Sequence, residues 1–259
     1  MNKNNLSNER VGKITTNRYG NIMKIIKYNN NDDIIVEFQD EYKYQVKTNY
    51  KAFLKKEIYN PYNKSIYNVG YLGKTTSSIN GKSKKSYDIW HQMLKRCYDF
   101  KTHINRPTYK DCVVCDEWLC YENFEKWYNE NYYEIPNEKM CLDKDILKKN
   151  NKIYSPLYCR IVPNEINCLF TKSNNIRGGC PIGVYYNKRE KKFKTQISII
   201  KNNKKIRKSL GSYNTMQEAF IAYKKAKEEY IKMVADKYKQ YIPLDIYNAM
   251  YKYKVEITD

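Results

Sequence analysis

Two carboxylates flank one lysine in Asp143-Lys144-Asp145, with Asn151 a short way downstream. Oxygen donors of these types either ligate a hard cation such as Mg²⁺ or cap turns and pair with Lys and Arg. They belong to a stretch running from Cys141 to Asn167, CLDKDILKKNNKIYSPLYCRIVPNEIN. It opens on a strand-like Leu142–Ile146 and crosses a polar Lys-Lys-Asn-Asn-Lys turn. It then passes Tyr154-Ser155-Pro156 into a second strand, Cys159–Pro163, and a helical start with Asn164 and Asn167. The only histidines are His91 and His103, so few groups can serve as a general base. Lys144 is a poor base at neutral pH unless burial lowers its pKa. Nothing matches the phosphate-cradling G-x-x-x-x-G-K-[ST] loop, and two histidines in these contexts give no Ser-His-Asp or Cys-His pairing. Of eight cysteines, Cys112 and Cys115 form one C-x-x-C, with Cys120 nearby. A structural zinc site needs four ligands, so the expectation is buried thiols and no zinc.

Charge points to the partner class. The chain has 48 Lys and Arg against 28 Asp and Glu, a net +20 over 259 residues. AT-rich codons account for much of the Lys and Asn excess, yet the acids did not rise in step. A field of this sign recruits polyanions, of which nucleic acid is the commonest. No apolar run approaches the ~20 residues of a membrane span, and the N-terminus lacks an apolar signal core. A cytoplasmic protein is expected.

These residues need elements to hold them, and the chain reads as α+β. Residues 1 to 10 are polar and expected to fray. Residues 1–58 are assigned a small N-terminal β-barrel. Ile22–Ile26 and Ile34–Phe38 form a hairpin around an Asn/Asp turn, with further short strands at Gly12–Gly20 and Tyr42–Val46. The expected five-stranded closure is similar to Tudor-like and Src-homology-type barrels. Residues 59–85 are a Pro/Gly/Ser linker, and residues 86–176 a finger domain with packing helices. Ser86–Tyr98 is a helix capped by Ser86, with Ile89, Trp90, Met93, Leu94 and Cys97 on its apolar face. Glu122–Asn131 is a second helix, and Trp90, Trp118, Phe124 and Trp127 are read as core. Residues 177–259 form a sheet-and-helix module with a C-terminal helical extension. Phe193, Thr195, Ile197 and Ile199 alternate with Lys192, Lys194, Gln196 and Ser198, and Thr215 with Glu218 makes a capping box for the helix.

The central stretch resembles the finger of phage-borne HNH homing endonucleases, in the branch reading roughly LDRIDNxGNYSPENCRWATxxEQxxN. Asp143, Asp145, Asn151, Tyr154, Ser155, Pro156, Cys159, Arg160, Asn164 and Asn167 fall on that pattern. Upstream, Trp90, Met93, Arg96, Cys97, Val114, Cys115, Glu117 and Trp118 extend it, so it covers about residues 86 to 170. Enzymes of this kind that read DHI place a catalytic His where this chain has Lys144. The last module, GVYYNKREKKFKTQI…KSLGSYNTMQEAFIAYKKAKEEY, resembles the apetala/ethylene-response-type DNA-binding domain. By that resemblance Arg189, Lys192, Lys194, Gln196, Lys205 and Arg207 face DNA, on a surface with no acid between Lys191 and Lys208. Arg160 of the finger is counted with them.

The resemblances imply a phage- or prophage-type protein of the bacterial cytoplasm that binds double-stranded DNA. Three outcomes stay open. One is a nuclease with a rearranged site, with Asp143, Asp145 and Asn151 around Mg²⁺ and a base from His91 or His103. Another is a finger kept for its DNA-binding shape after catalysis has gone. The third is a non-catalytic phage protein that inhibits a host nucleic-acid-targeting defence complex, in the manner of an anti-CRISPR, through protein contacts.

Overall fold

The structure is a computed structural model that describes residues 9–170, 179–201 and 204–259. Residues 1–8 of the stretch expected to fray, the expected boundary at 176/177 and the tip of the turn after Lys201 lie outside the described residues. The chain is mixed α and β and divides into two compact units, one up to Glu130 and one from Asn131.

The first unit opens on four antiparallel strands in sequence order: β1 (Ile14–Thr16), β2 (Ile22–Asn30), β3 (Asp33–Phe38) and β4 (Gln45–Thr48). Alternation buries Met23 and Ile25 on β2 and Ile34, Val36 and Phe38 on β3, with Phe53 and Ile58 closing the cluster. The sheet is open, not the expected five-stranded barrel: β1 and β4 are its two edges. The chain leaves β4 for a short helix instead of a closing strand. Asn49 caps that helix, α1 (Tyr50–Leu54), by accepting the Ala52 N–H.

The rest of this unit is an aromatic core. After a small hairpin, β5 (Ser78–Ile79) and β6 (Lys82–Ser83), comes α2 (Lys85–Tyr98), which buries Trp90, Met93, Leu94 and Cys97. Ser86 is not its cap. It lies inside the first turn, and its hydroxyl is 2.8 Å from the Tyr121 hydroxyl in the interior. Then follow α3 (Phe100–Asn105), the two-residue β7 (Val113–Val114), α4 (Asp116–Leu119) and α5 (Tyr121–Asn131). Trp90, Trp118 and Phe124 are fully buried and Trp127 nearly so. Each such side chain contributes roughly 2–3 kcal/mol on burial. The Trp90 indole N–H donates to the Trp118 carbonyl at 2.7 Å. The 59–85 segment packs onto this core: a Cβ on Gly70 would lie 2.4 Å from Leu94 Cδ1.

In the second unit, β8 (Met140–Asp143) and β10 (Arg160–Pro163) pair antiparallel, with the two-residue β9 (Ile153–Tyr154) between them in sequence. The helix α6 (Asn164–Leu169) follows. Then come β11 (Val184–Asn187), β12 (Lys192–Lys201) and β13 (Lys204–Tyr213), a three-stranded antiparallel meander. The long helix α7 (Met216–Tyr238) starts at the expected Thr215–Glu218 capping box, and α8 (Leu244–Lys252) follows. Val184 and Ile197 of the sheet join Ala219, Phe220, Tyr223, Ile231 and Val234 of α7 in one core that also takes in Val162 and Ile166 of the finger. Polar groups reinforce that join. The buried Glu165 carboxylate receives the Lys237 ammonium and the hydroxyls of Tyr230 and Tyr238.

Sheet and helix meet at Gly183, whose φ is +77° and whose added Cβ would lie 2.1 Å from the Tyr223 ring. Gly183→Ala is therefore expected to destabilise the second unit by about 3 kcal/mol or more, from backbone strain plus overlap. Gly20 has φ +86° with open space around it, so Gly20→Ala should cost the first unit only about 1 kcal/mol. Urea unfolding of the two variants checks the contrast; equal small losses would mean that Tyr223 has room to move.

Candidate nucleic-acid interface

The finger loop is built around a buried cation. Asp143, Lys144 and Asn151 are each less than a tenth exposed. Asp143 ends β8, and its Oδ1 accepts the backbone N–H groups of Asp145 and Ile146, both at 2.8 Å. The Lys144 ammonium reaches both Asp145 oxygens, at 2.8 and 2.9 Å, and the Asn151 carbonyl at 2.6 Å. The Asn151 amide closes the loop by donating to the carbonyls of Lys144 and Ile153, at 2.9 and 2.7 Å. Every one of these contacts is internal to residues 143–153. Burial pushes the Asp143 carboxyl up to about 6, against the pull of the two N–H groups.

This donor set does not fit a divalent ion. One cation, the Lys144 ammonium, already sits between the Asp145 carboxylate and the Asn151 carbonyl, and Asp143 is committed to the turn. Among the described residues no three His, Cys, Asp or Glu side chains gather as a metal site. The eight cysteines are free thiols.

The histidines lie in the first unit, and each is occupied. His91 is partly buried between the rings of Tyr67 and Tyr87, at 5.2 and 5.8 Å. Burial, with help from Lys95, holds its imidazole below the usual value. His103 Nε2 lies 2.9 Å from the Arg96 carbonyl. Arg160 is committed within its own unit. Its guanidinium contacts the Asp245 carboxylate at 2.7 and 2.9 Å and donates to the carbonyls of Pro156 and Cys159. It staples the finger to α8 and is not an outward cation, contrary to the expectation from sequence.

The remaining expected contacts converge on one surface. Directly opposed residues on neighbouring strands share a face, and the register supplies the pairs. Lys192 faces Asn187, and Lys194 faces Tyr185 on one side and Ser212 on the other. Gln196 faces Ser209, Ser198 faces Arg207, and Ile200 faces Lys205. Thr195 and Ile197, between them, point into the core. Lys192, Lys194, Gln196, Lys205 and Arg207 therefore share the outer face, and the exposed Arg189 sits in the turn at its edge. From Lys188 to Lys208 the sequence holds ten Lys and Arg and one acid, Glu190.

That acid matters. Glu190 pairs with Lys194 and takes a hydrogen bond from the Asn187 amide at 3.2 Å, so Lys194 is partly neutralised. Lys192, Lys205 and Arg207 have no ion pair among the described residues. Tyr185, 44% exposed on the edge strand β11 beside Lys194, is a member of this face that sequence reading missed. The alternation within Val184–Asn187 was the available signal. No family model, curated protein or solved structure matches the chain.

Asp143 yields a pH test. Its folded pKa, about 6, lies above its ordinary 3.8. The folded chain thus holds this proton more tightly, and the associated stability is present below pH 3.8 and lost as pH rises through 6. Asp143→Asn, which keeps an acceptor for both N–H groups, should be more stable than wild type at pH 8 by about 2–3 kcal/mol. The advantage should shrink toward pH 4. Denaturant unfolding across that range checks it, and a gap that does not change with pH would remove the buried ionisation as its cause.

Proposed function

We propose that the chain binds double-stranded DNA through the outer face of the β11–β13 sheet, and that its finger is a scaffold, not a cutting centre. The observation that carries the reading is the shared face of Lys192, Lys205 and Arg207, exposed cations held on a rigid sheet backed by α7. Cations fixed on a sheet lose little side-chain and loop freedom on meeting phosphates, and each contact releases condensed counterions. The finger's share in the proposal rests on Lys144. An ammonium in the polar centre of the loop stabilises Asp145 and the turn, and it occupies the place between Asp145 and Asn151 that a metal ion would need.

Binding of a duplex should weaken steeply with salt. Lys192→Ala combined with Arg207→Ala should lower affinity by over tenfold and flatten the log–log salt dependence by about two units, since each phosphate contact contributes roughly 0.9. Both residues are exposed, so the thermal midpoint should barely move. Fluorescence anisotropy at several salt concentrations measures this, and an unchanged slope would dismiss the sheet as the contact surface. Supercoiled plasmid incubated with Mg²⁺, Mn²⁺ or EDTA tests the finger. The scaffold reading expects intact DNA throughout, and metal-dependent nicking lost in Asp145→Ala would overturn it.

A further inference from the structure

The outer face of the sheet is not uniformly cationic. Moving along β12, Lys192 and Lys194 lie at the end near the β11–β12 turn, and Arg207 and Lys205 sit opposite Ser198 and Ile200 at the other end. Between them lies one uncharged rung, Gln196 opposite Ser209, flanked by Ser212 on the Lys194 rung and Ser198 on the Arg207 rung. Four residues separate the Lys194 rung from the Arg207 rung, about 13 Å at ~3.3 Å per residue. The B-DNA major groove is about 12 Å wide and admits a two-stranded ribbon. Cations at that spacing reach phosphates on both sides of a groove, and the neutral Gln196–Ser209 rung then lies over base edges.

Gln196 is singled out by its backbone as well. The β12–β13 register slips between Thr195 and Gln196, so Leu210 is an extra residue and Gly211 takes φ +123°. A bulge of this kind bends the strand and re-aims the side chains beside it. At the same point the main chain is clamped from the other strand. The Gln196 N–H donates to the Gly183 carbonyl at 3.0 Å, and the Thr195 hydroxyl donates to the same carbonyl at 2.9 Å. The Gln196 side-chain amide makes no hydrogen bond among the described residues. A donor and an acceptor are thus presented on a fixed backbone at the middle of the face.

We propose that Gln196 is the base-reading residue of this surface and that it selects adenine. A glutamine amide offers one donor and one acceptor side by side, which matches adenine N7 and N6–H; guanine presents two acceptors, N7 and O6. Ser209 and Ser198 hydroxyls tolerate either base. The inference rests on the sheet being the DNA-contacting surface, and the test separates the two ideas.

Randomised duplexes would be selected with the full chain as wild type, Gln196→Ala and Gln196→Arg, and the enriched sites sequenced. Wild type should fix an adenine at one position. Gln196→Ala should lose that preference by about ten- to a hundredfold, while its affinity for unrelated duplex and its salt dependence stay unchanged. Gln196→Arg should move the preference to guanine, a change that a purely structural residue would not produce. Normal binding with the same adenine retained in Gln196→Ala, or with no preferred base in wild type, would overturn the inference and leave the DNA-contacting sheet standing. Failure of wild type to bind any duplex would overturn both.

Discussion

A carboxylate taken out of water must be met by several groups, and Glu165 is met by three side chains of α7. The chain of contacts starts at β12, where the Ile200 N–H, beyond the reach of β11, donates to the Tyr230 hydroxyl at 2.7 Å. That hydroxyl lies 3.3 Å from Glu165 on α6, whose other oxygen receives Lys237 and the Tyr238 hydroxyl. The Tyr238 hydroxyl also lies 2.7 Å from Glu138. A sheet-edge donor, the helix behind the sheet and the helix after the finger are thereby fixed to one another. The apolar core that joins Ile166 to Ile231 and Val234 fills the same junction. Because of this join the finger and the sheet belong to one compact unit, and the outer face of the sheet is presented on a stiff backing.

The finger shows what a single residue at position 144 does physically. A buried ammonium must find acceptors, and Lys144 finds the Asp145 carboxylate and the Asn151 carbonyl. Those acceptors come from both ends of the loop, so meeting the charge also closes the loop. An imidazole there would offer one donor and one acceptor and would leave Asp145 less compensated. The loop's polar residues are thus engaged in folding, and the residue types that suggest metal chemistry here bind an internal ammonium and backbone N–H groups.

Much of the local structure was legible in the sequence. Alternation placed Thr195 and Ile197 inward and Lys192, Lys194 and Gln196 outward, and the Thr215–Glu218 pair marked the start of α7, because these signals depend on neighbours along the chain. That the first sheet stays open was not legible, since Asn49 as a helix cap and a strand edge look alike in a polar run. Ser86 was read as a cap from spacing alone; the competing Tyr121 hydroxyl lies far along the chain. Arg160 was read as an outward cation for the same reason, its partner Asp245 being on a distant helix. The bulge beside Gln196 is also invisible locally, because it needs both strands and Gly211 to define it.

The cost of the outer face bears on what it is for. Like charges on neighbouring rungs of a sheet repel, and a ribbon that only had to fold would alternate signs across its strands. Lys192 and Lys194 at one end, and Lys205 and Arg207 at the other, do the opposite. Glu190 offsets one of the four, while the other three keep their charge facing solvent. The uncharged residues meanwhile are gathered at the centre, where the backbone is bent by the bulge and pinned to Gly183. Codon bias can raise the number of lysines in a chain, but it cannot sort cations to the ends of one face and leave an amide and serines between them. That sorting is what the proposed duplex-binding role asks for: two lines of negative charge in the partner, with polar edges in the gap.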